Sequence, residues 1–309
     1  MVVGASVEFK QYLTSRRQLV EDRLAEYLAG GEPAVLWESM RYSVLGGGKR
    51  LRPILCLAAA ESVSADAAEL ALPCACSVEM IHAMSLIHDD LPALDNDDLR
   101  RGRPTNHKVF GEAIALLAGD ALLMLALEVL LDKTPARVDR AVVLDVALAL
   151  SRATGAAGMV GGQVEDMRFT GLAARPDEPI TEAMMESVHG RKTGALLRFS
   201  IWSGARLAGA KDHILAAFSR FGQVLGLAFQ ITDDLLDVTG DAKTLGKTPG
   251  KDEAADKATW VRLFGVDESR QKLAALESEG KALLRSTGLD TGALSTLESL
   301  LEYAIHRVS

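Results

Sequence analysis

Residues 82–107 read H-A-M-S-L-I-H-D-D-L-P-A-L-D-N-D-D-L-R-R-G-R-P-T-N-H, an apolar helical stretch that runs without a break into five carboxylates and then three arginines. Asp89, Asp90, Asp95, Asp97 and Asp98 cannot all be anions in one small volume unless cations neutralise them, because each charge raises its neighbours' pKa. Hard oxygen ligands in this number suit Mg2+ or Ca2+, and Mg2+ keeps several waters while taking one or two carboxylates together with substrate phosphates. Arg100, Arg101 and Arg103 follow, and a guanidinium fork matches phosphate oxygens. Pro92 lacks an amide hydrogen and crowds the preceding turn, so the helix should be interrupted there. An apolar helix that ends in carboxylates reads as the mouth of a pocket for metal and phosphate. A solvated loop of self-compensating charge is the plainer reading of the same letters.

Outward from that stretch, helical signals dominate. The chain has 309 residues, 48% of them hydrophobic and only 5% aromatic, with few runs of β-branched residues. That balance favours helix over strand and is ample for a sizeable core. Helices are expected over 7–29, 36–45, 54–62, 70–88, 113–131 and 137–153, followed by a segment punctuated by Gly158, Gly161, Gly162 and Gln163. Residues 171–179 read as a polar loop, and Thr181 as the cap of the next helix. The longest apolar run, 113–131, is interrupted by Gly119, Asp120 and Glu128, so it is expected to be a buried helix rather than a membrane span. A net charge of −8 argues against nucleic acid as a partner. Nothing at the N-terminus has the pattern of a signal peptide, which leads to the expectation of a cytoplasmic protein or the mature form of an organellar one. Cys56, Cys74 and Cys76 form no C-x-x-C pair and have no zinc-spaced partner, so they read as core thiols.

Two further stretches carry chemistry. Gly46-Gly47-Gly48 precedes Lys49-Arg50-Leu51-Arg52-Pro53; the P-loop spacing is absent, but a glycine turn with cations at a helix start can hold a phosphate group. Residues 218–238 end in Q-I-T-D-D-L-L-D, which puts Asp233 and Asp237 four apart on one helix face with Gln230 about one turn earlier. Carboxylates at a helix C-terminus have the wrong sign for its dipole, so structure alone would not choose them. His82 lies on nearly the same face as Asp89, two turns away at ~100° per residue.

Taken together, G-G-G-K-R-L-R-P, D-D-L-P-A-L-D with R-R-G-R-P-T-N-H, G-G-Q at Gly161–Gln163, K-T at Lys192–Thr193 and Q-I-T-D-D-L-L-D give the chain a resemblance to the trans (E)-prenyl diphosphate synthases, the polyprenyl synthetase family. The resemblance implies an all-α fold: one domain over 1–309, an isoprenoid synthase bundle of ten or more helices around a central cavity, in a homodimer. It implies head-to-tail condensation of isopentenyl diphosphate with an allylic partner, dimethylallyl, geranyl or farnesyl diphosphate, through an allylic carbocation. It also implies roles at matching positions. Asp89, Asp95 and Asp233 would bind three Mg2+ ions, with Asp90 and Asp237 supporting them through waters. Arg100, Lys192 and Lys247 would hold the allylic diphosphate, Lys49, Arg52, His82 and Arg101 that of isopentenyl diphosphate, and Lys257 would close over the site. Thr193 and Gln230 would turn oxygen dipoles toward the cation. The first motif carries two extra residues, so a straight helix would separate Asp89 from Asp95 by ~120°, and a kink at Pro92 is expected to bring both to metal. Met84 and Ser85, just before Asp89, would lie beside the growing tail; the flexible Met84 favours a C20 product, geranylgeranyl diphosphate, over C15 farnesyl diphosphate. His88-Asp89 also matches the H-D pair of helical metal-dependent phosphohydrolases, but further histidine ligands are missing. A non-catalytic subunit of a heteromeric synthase would not need both aspartate motifs intact.

Overall fold

The computed structural model describes residues 6–169, 180–239 and 259–307. Its helices are α1 (Val7–Tyr27), α2 (Ala34–Val44), α3 (Leu51–Val63), α4 (Ala68–Asp89), α5 (Asn106–Phe110), α6 (Glu112–Lys133), α7 (Arg140–Thr154), α8 (Met159–Phe169), α9 (Glu182–Lys192), α10 (Gly194–Leu207), α11 (Asp212–Thr239), α12 (Trp260–Phe264), α13 (Val266–Ser286) and α14 (Thr291–His306). The all-α expectation is met, and Thr181 caps α9 by accepting from the Met184 amide.

Two apolar clusters make the core. One gathers Leu24, Met80, Ile81, Leu122 and Val146; the other gathers Phe218, Phe221, Leu225, Trp260 and Leu301. Helices α3 and α10 serve both: Leu57 and Phe199 face the first cluster, Leu55 and Ile201 the second. A helix apolar on all sides can only lie inside a bundle, so these two are the central pair around which α4 and α11, the carriers of the aspartates, are arranged. The three cysteines are free and buried in the core, as expected.

Two expectations need correction. Helix α6 is buried on one face only: Leu116, Leu117, Met124 and Leu131 stand exposed, beside exposed Leu144 and Leu148 of α7. Periodicity in an almost wholly apolar helix gives no face, so the sequence could not tell core from an uncovered side. The second concerns the segment after Asp90. Strands β1 (Leu99–Arg100) and β2 (Arg103–Pro104) pair antiparallel around Arg101 and Gly102, both at positive φ. That is the signature of a type I′ turn, hidden in the sequence because arginine stands where asparagine is the usual signal.

Candidate functional site

Helix α4 stops at Asp89 and is not kinked and resumed. The chain folds back instead: the Asp95 amide donates to the Asp89 carbonyl at 2.8 Å, Asn96 to Leu91 at 3.1 Å and Asp97 to Asp90 at 3.2 Å. This compact turn brings Asp95 to the end of the helix, by a route other than the expected kink. The β-turn then returns the arginines. Arg100 grips Asp90 with Nε at 2.8 and 2.9 Å from the two carboxylate oxygens and Nη2 at 2.6 Å from Oδ1. Asp90, expected to support metal, and Arg100, expected to hold the allylic diphosphate, are paired with each other in this structure, and Asp90 is buried. Asp89 and Asp95 are left as the motif's paired carboxyls.

The glycine turn faces the same place. Arg101 Nη1 donates to the Gly47 carbonyl, and its guanidinium lies where a side chain on Gly48 would sit, 2.8 Å from that glycine's absent Cβ. Arg50, at φ +51, directs its side chain inward to Glu79 at 2.7 Å and to the Val44 carbonyl at 2.7 Å. A left-handed arginine costs of order 1 kcal/mol, and these buried contacts offset it. Arg50 thus anchors the turn, while Lys49 and Arg52 on either side remain for the basin. Arg52 Nε is buried without a hydrogen-bond partner among the described residues.

Across the basin, Asp233 accepts Arg307 Nη2 at 2.7 Å. Its neighbour Asp234 points inward and accepts the Trp260 amide at 2.7 Å, tying α12 to α11. The adjacent aspartates of the second motif therefore divide into one for the basin and one for the fold. Asp237 and Gln230, on the same helix, are half-buried, as is Thr193 between α9 and α10. Lys192 Nζ lies 2.6 Å from Asp166 of α8. Gly162 permits this, because a Cβ there would fall 2.3 Å from the Lys192 amide nitrogen; the G-G-Q glycine is a point of close helix approach. Met84 is buried and Ser85 half-buried on α4, with Ser85 Oγ donating to the His82 carbonyl at 2.9 Å.

Electrostatics join the two ends. Burial pushes the Asp89 carboxyl up to about 6, opposed by the Lys192 ammonium and reinforced by the Asp95 carboxylate. Burial, with the nearby guanidinium groups of Arg52, Arg101 and Arg100, holds His82 well below its ordinary value, hence neutral. Burial also disfavours the charged forms of Arg52 and Arg101, and Asp233 is close enough to support Arg52. Lys49 is lowered by burial and then by Arg307, against a helping Asp233. The chain of influence runs from Asp89 through Arg100, His82 and Arg52 to Asp233. Its middle is a set of crowded cations with an unpartnered donor, which an anion of several oxygens would complete. Its ends are carboxylates, one of them reluctant to ionise without a cation. Among the described residues no three ligating side chains converge tightly enough to hold a metal alone. Mg2+ commonly takes one or two carboxylates and completes its coordination with waters and substrate phosphates.

Of the site residues expected from sequence, Asp89, Asp95, Asp233, Lys49, Arg52, His82, Arg101 and Lys192 lie near enough to one another for their charges to be linked in one run; Lys247 and Lys257 lie outside the described residues. Sequence reasoning missed Arg50, Glu79, Asp166 and Arg307. Asp166 could have been found, since it stands three residues after Gln163 and so one helical turn along.

Comparison with known proteins gives one direction. Residues 33–283 match the family model for Polyprenyl synthetase. The chain is 51% identical over 278 residues to a dimethylallyltranstransferase of Fischerella ambigua, covering 90% of this chain and 78% of that one. It is 44% identical over 299 residues to a chloroplastic geranylgeranyl pyrophosphate synthase of Capsicum annuum, covering 97% and 79%. Its fold is similar to the apo crystal structure of an FPP/GFPP synthase from Zymomonas mobilis, with a TM-score of 0.85, 37% identity, and 97% and 100% of the two chains covered.

Proposed function

The chain belongs to the polyprenyl synthetase family and is a short-chain trans-prenyl diphosphate synthase, and from that premise we propose how this chain's residues divide the work and that its main product is geranylgeranyl diphosphate, C20. The observation that carries the reading is the run of linked charges from Asp89 and Asp95 through Arg100, His82 and Arg52 to Asp233, with the Arg52 Nε donor unpartnered among the described residues.

Isopentenyl diphosphate is held by Lys49, Arg52, His82 and Arg101. His82 serves as a neutral hydrogen-bonding ring there, because a second charge is disfavoured beside the guanidiniums. The allylic diphosphate lies between the aspartate motifs, against Lys192, whose ammonium Asp166 fixes in place. Asp89, Asp95 and Asp233 are the carboxylates for Mg2+, three ions with substrate bound, with Asp237 behind them. Bound there, Mg2+ stabilises the charge that gathers on the departing diphosphate. Thr193 and Gln230 turn oxygen dipoles to the allylic cation, and the apolar walls below Asp89 keep water from it. The double bond of isopentenyl diphosphate then attacks head to tail, and the proton is lost to the released diphosphate.

Tail length is read along α4. Met84 lies five residues before Asp89, about 7.5 Å deeper at ~1.5 Å per residue, and its unbranched thioether can move aside for a longer chain. Met84→Phe is expected to shift the main product from C20 to C15 with turnover retained, as measured by chromatography of the dephosphorylated prenols. An unchanged C20 product from a folded, active variant removes Met84 from the channel floor. The reading of this chain as a C15 synthase draws on the burial of Met84, which shows that other side chains already close around it.

The uncovered apolar face supports a homodimer. Leu117, Met124 and Leu131 repeat every seven residues on α6, next to Leu144 and Leu148 of α7. Exposed apolar side chains repeated in this way mark an association surface, and a two-fold pair would bury them against their copies. Sedimentation at micromolar concentration is expected to give twice the chain mass, and Met124→Glu with Leu144→Glu to give the single chain. A monomeric wild-type protein overturns this reading.

A further inference from the structure

Arg307 has no place in the mechanism above, yet it is more tightly held than the aspartate it meets. Helix α14 packs on α3 and α11 and delivers the residue after its end to the point where Lys49 and Asp233 face each other. There the guanidinium carbon lies 3.7 Å from the centroid of the Phe229 ring, Nη2 donates to the Phe229 carbonyl at 2.8 Å and also pairs with Asp233 Oδ1 at 2.7 Å. The Arg307 side chain is 5% exposed, whereas Asp233 is 47% exposed. Arg307 Nε is buried with no hydrogen-bond partner among the described residues. Phe229 and Asp233 are one turn apart on α11, so the arginine spans the face on which the second motif presents its carboxylate.

An ordinary surface ion pair exposes both partners and contributes little. Here the cation is sequestered and stacked, the anion remains open to solvent, and one donor is left without an acceptor, an arrangement that costs free energy unless something completes it. We propose that Arg307 is a stand-in cation for the second aspartate motif: it holds Asp233 while no divalent ion is present, yields that carboxylate to the ion, and then turns its freed guanidinium to the diphosphate beside Lys49. The inference rests on the reading of Asp233 as a metal ligand. Because coupling between two ligands is reciprocal, metal taken by Asp233 favours diphosphate binding near Lys49, and the diphosphate in turn favours metal.

The test uses Mn2+ as probe ion, titrated into the full-length, metal-free protein and followed by electron paramagnetic resonance, with steady-state kinetics in parallel. Arg307→Gln is expected to bind Mn2+ about threefold tighter in the absence of diphosphate, the size set by a partly exposed pair, and to raise the KM for isopentenyl diphosphate about tenfold. A merely structural role would weaken both. Arg307→Lys, which keeps the charge but loses the fork, is expected to show the same two signs at smaller size, and serves if the glutamine variant fails to fold. Asp233→Asn separates the two levels of the argument. Full Mn2+ binding by Asp233→Asn overturns the metal reading and this inference with it. Unchanged or weaker Mn2+ binding by both Arg307 variants, beside a defective Asp233→Asn, overturns the inference alone.

Discussion

Asp89→Asn is expected to lose on the order of 10³-fold in kcat and yet to stabilise the metal-free protein. Both results come from one cause. The Asp89 carboxyl is half-buried beside Asp95, and partial burial raises its pKa from 3.8 to about 6. A folded-state pKa above the unfolded one means that folding favours the protonated form, so ionisation works against stability. The penalty is absent below pH 3.8, grows as pH rises through the interval to about 6, and is complete above it. Asparagine removes the charge and the penalty together. Its gain should be about 1–3 kcal/mol at pH 8 and should shrink as the pH is lowered from 6 toward 4. Thermal unfolding at a series of pH values, without divalent ions, measures it, and prenyl transfer assays measure the loss. Asp233→Asn should lose a comparable share of kcat without that gain, since its carboxylate is half exposed and already paired with Arg307. Near-wild-type turnover by either variant would sink the assignment of both motifs to one reacting diphosphate. A site that strains the empty protein and relaxes only when loaded is how binding energy is kept for the reacting state.

Glu79→Ala is expected to cost about 3–5 kcal/mol of folding stability. Glu79 and Arg50 meet at 2.7 Å with side chains 4% and 1% exposed, so deleting the carboxylate strands a buried guanidinium. Glu21, at 3.4 Å from Arg50 Nε, softens the loss only partly because it lies toward the surface. A fall in the urea midpoint at unchanged slope is the measurement, and a cost below about 1 kcal/mol would show that the pair is not what anchors the turn. Arg50→Met combined with Glu79→Leu, which removes both charges, should recover most of the stability, as replacement of a buried pair by packed apolar groups often does. The consequence reaches function: Glu79 stands one turn before His82 on α4, and Arg50 lies between Lys49 and Arg52. The pair ties the basic turn to the helix that delivers the first aspartates, which sets the spacing between the two proposed diphosphate sites.

What the sequence by itself determined is the class of the molecule and its chemistry. Helix periodicity, the stop at Pro92 and the i, i+4 placement of Asp233 and Asp237 are local properties, fixed by backbone geometry within a turn or two, and each is legible from a few adjacent letters. So is the conflict between clustered carboxylates and their apolar neighbours, since unneutralised charge is costly wherever it lies. Partner choice was left to the tertiary structure. Asp90 and Asp89 are adjacent and chemically identical, yet only a turn made by Arg101 and Gly102 decides that Arg100 grips Asp90. Asp233 and Asp234 are likewise indistinguishable as letters, and the packing of α12 makes one of them part of the scaffold. Arg307 and Asp233 are far apart in the chain and meet because α14 lies across α3 and α11. Helix periodicity says which residues share a face, but which charge lies opposite another depends on how separate helices cross, and that is set by the packing of the whole core.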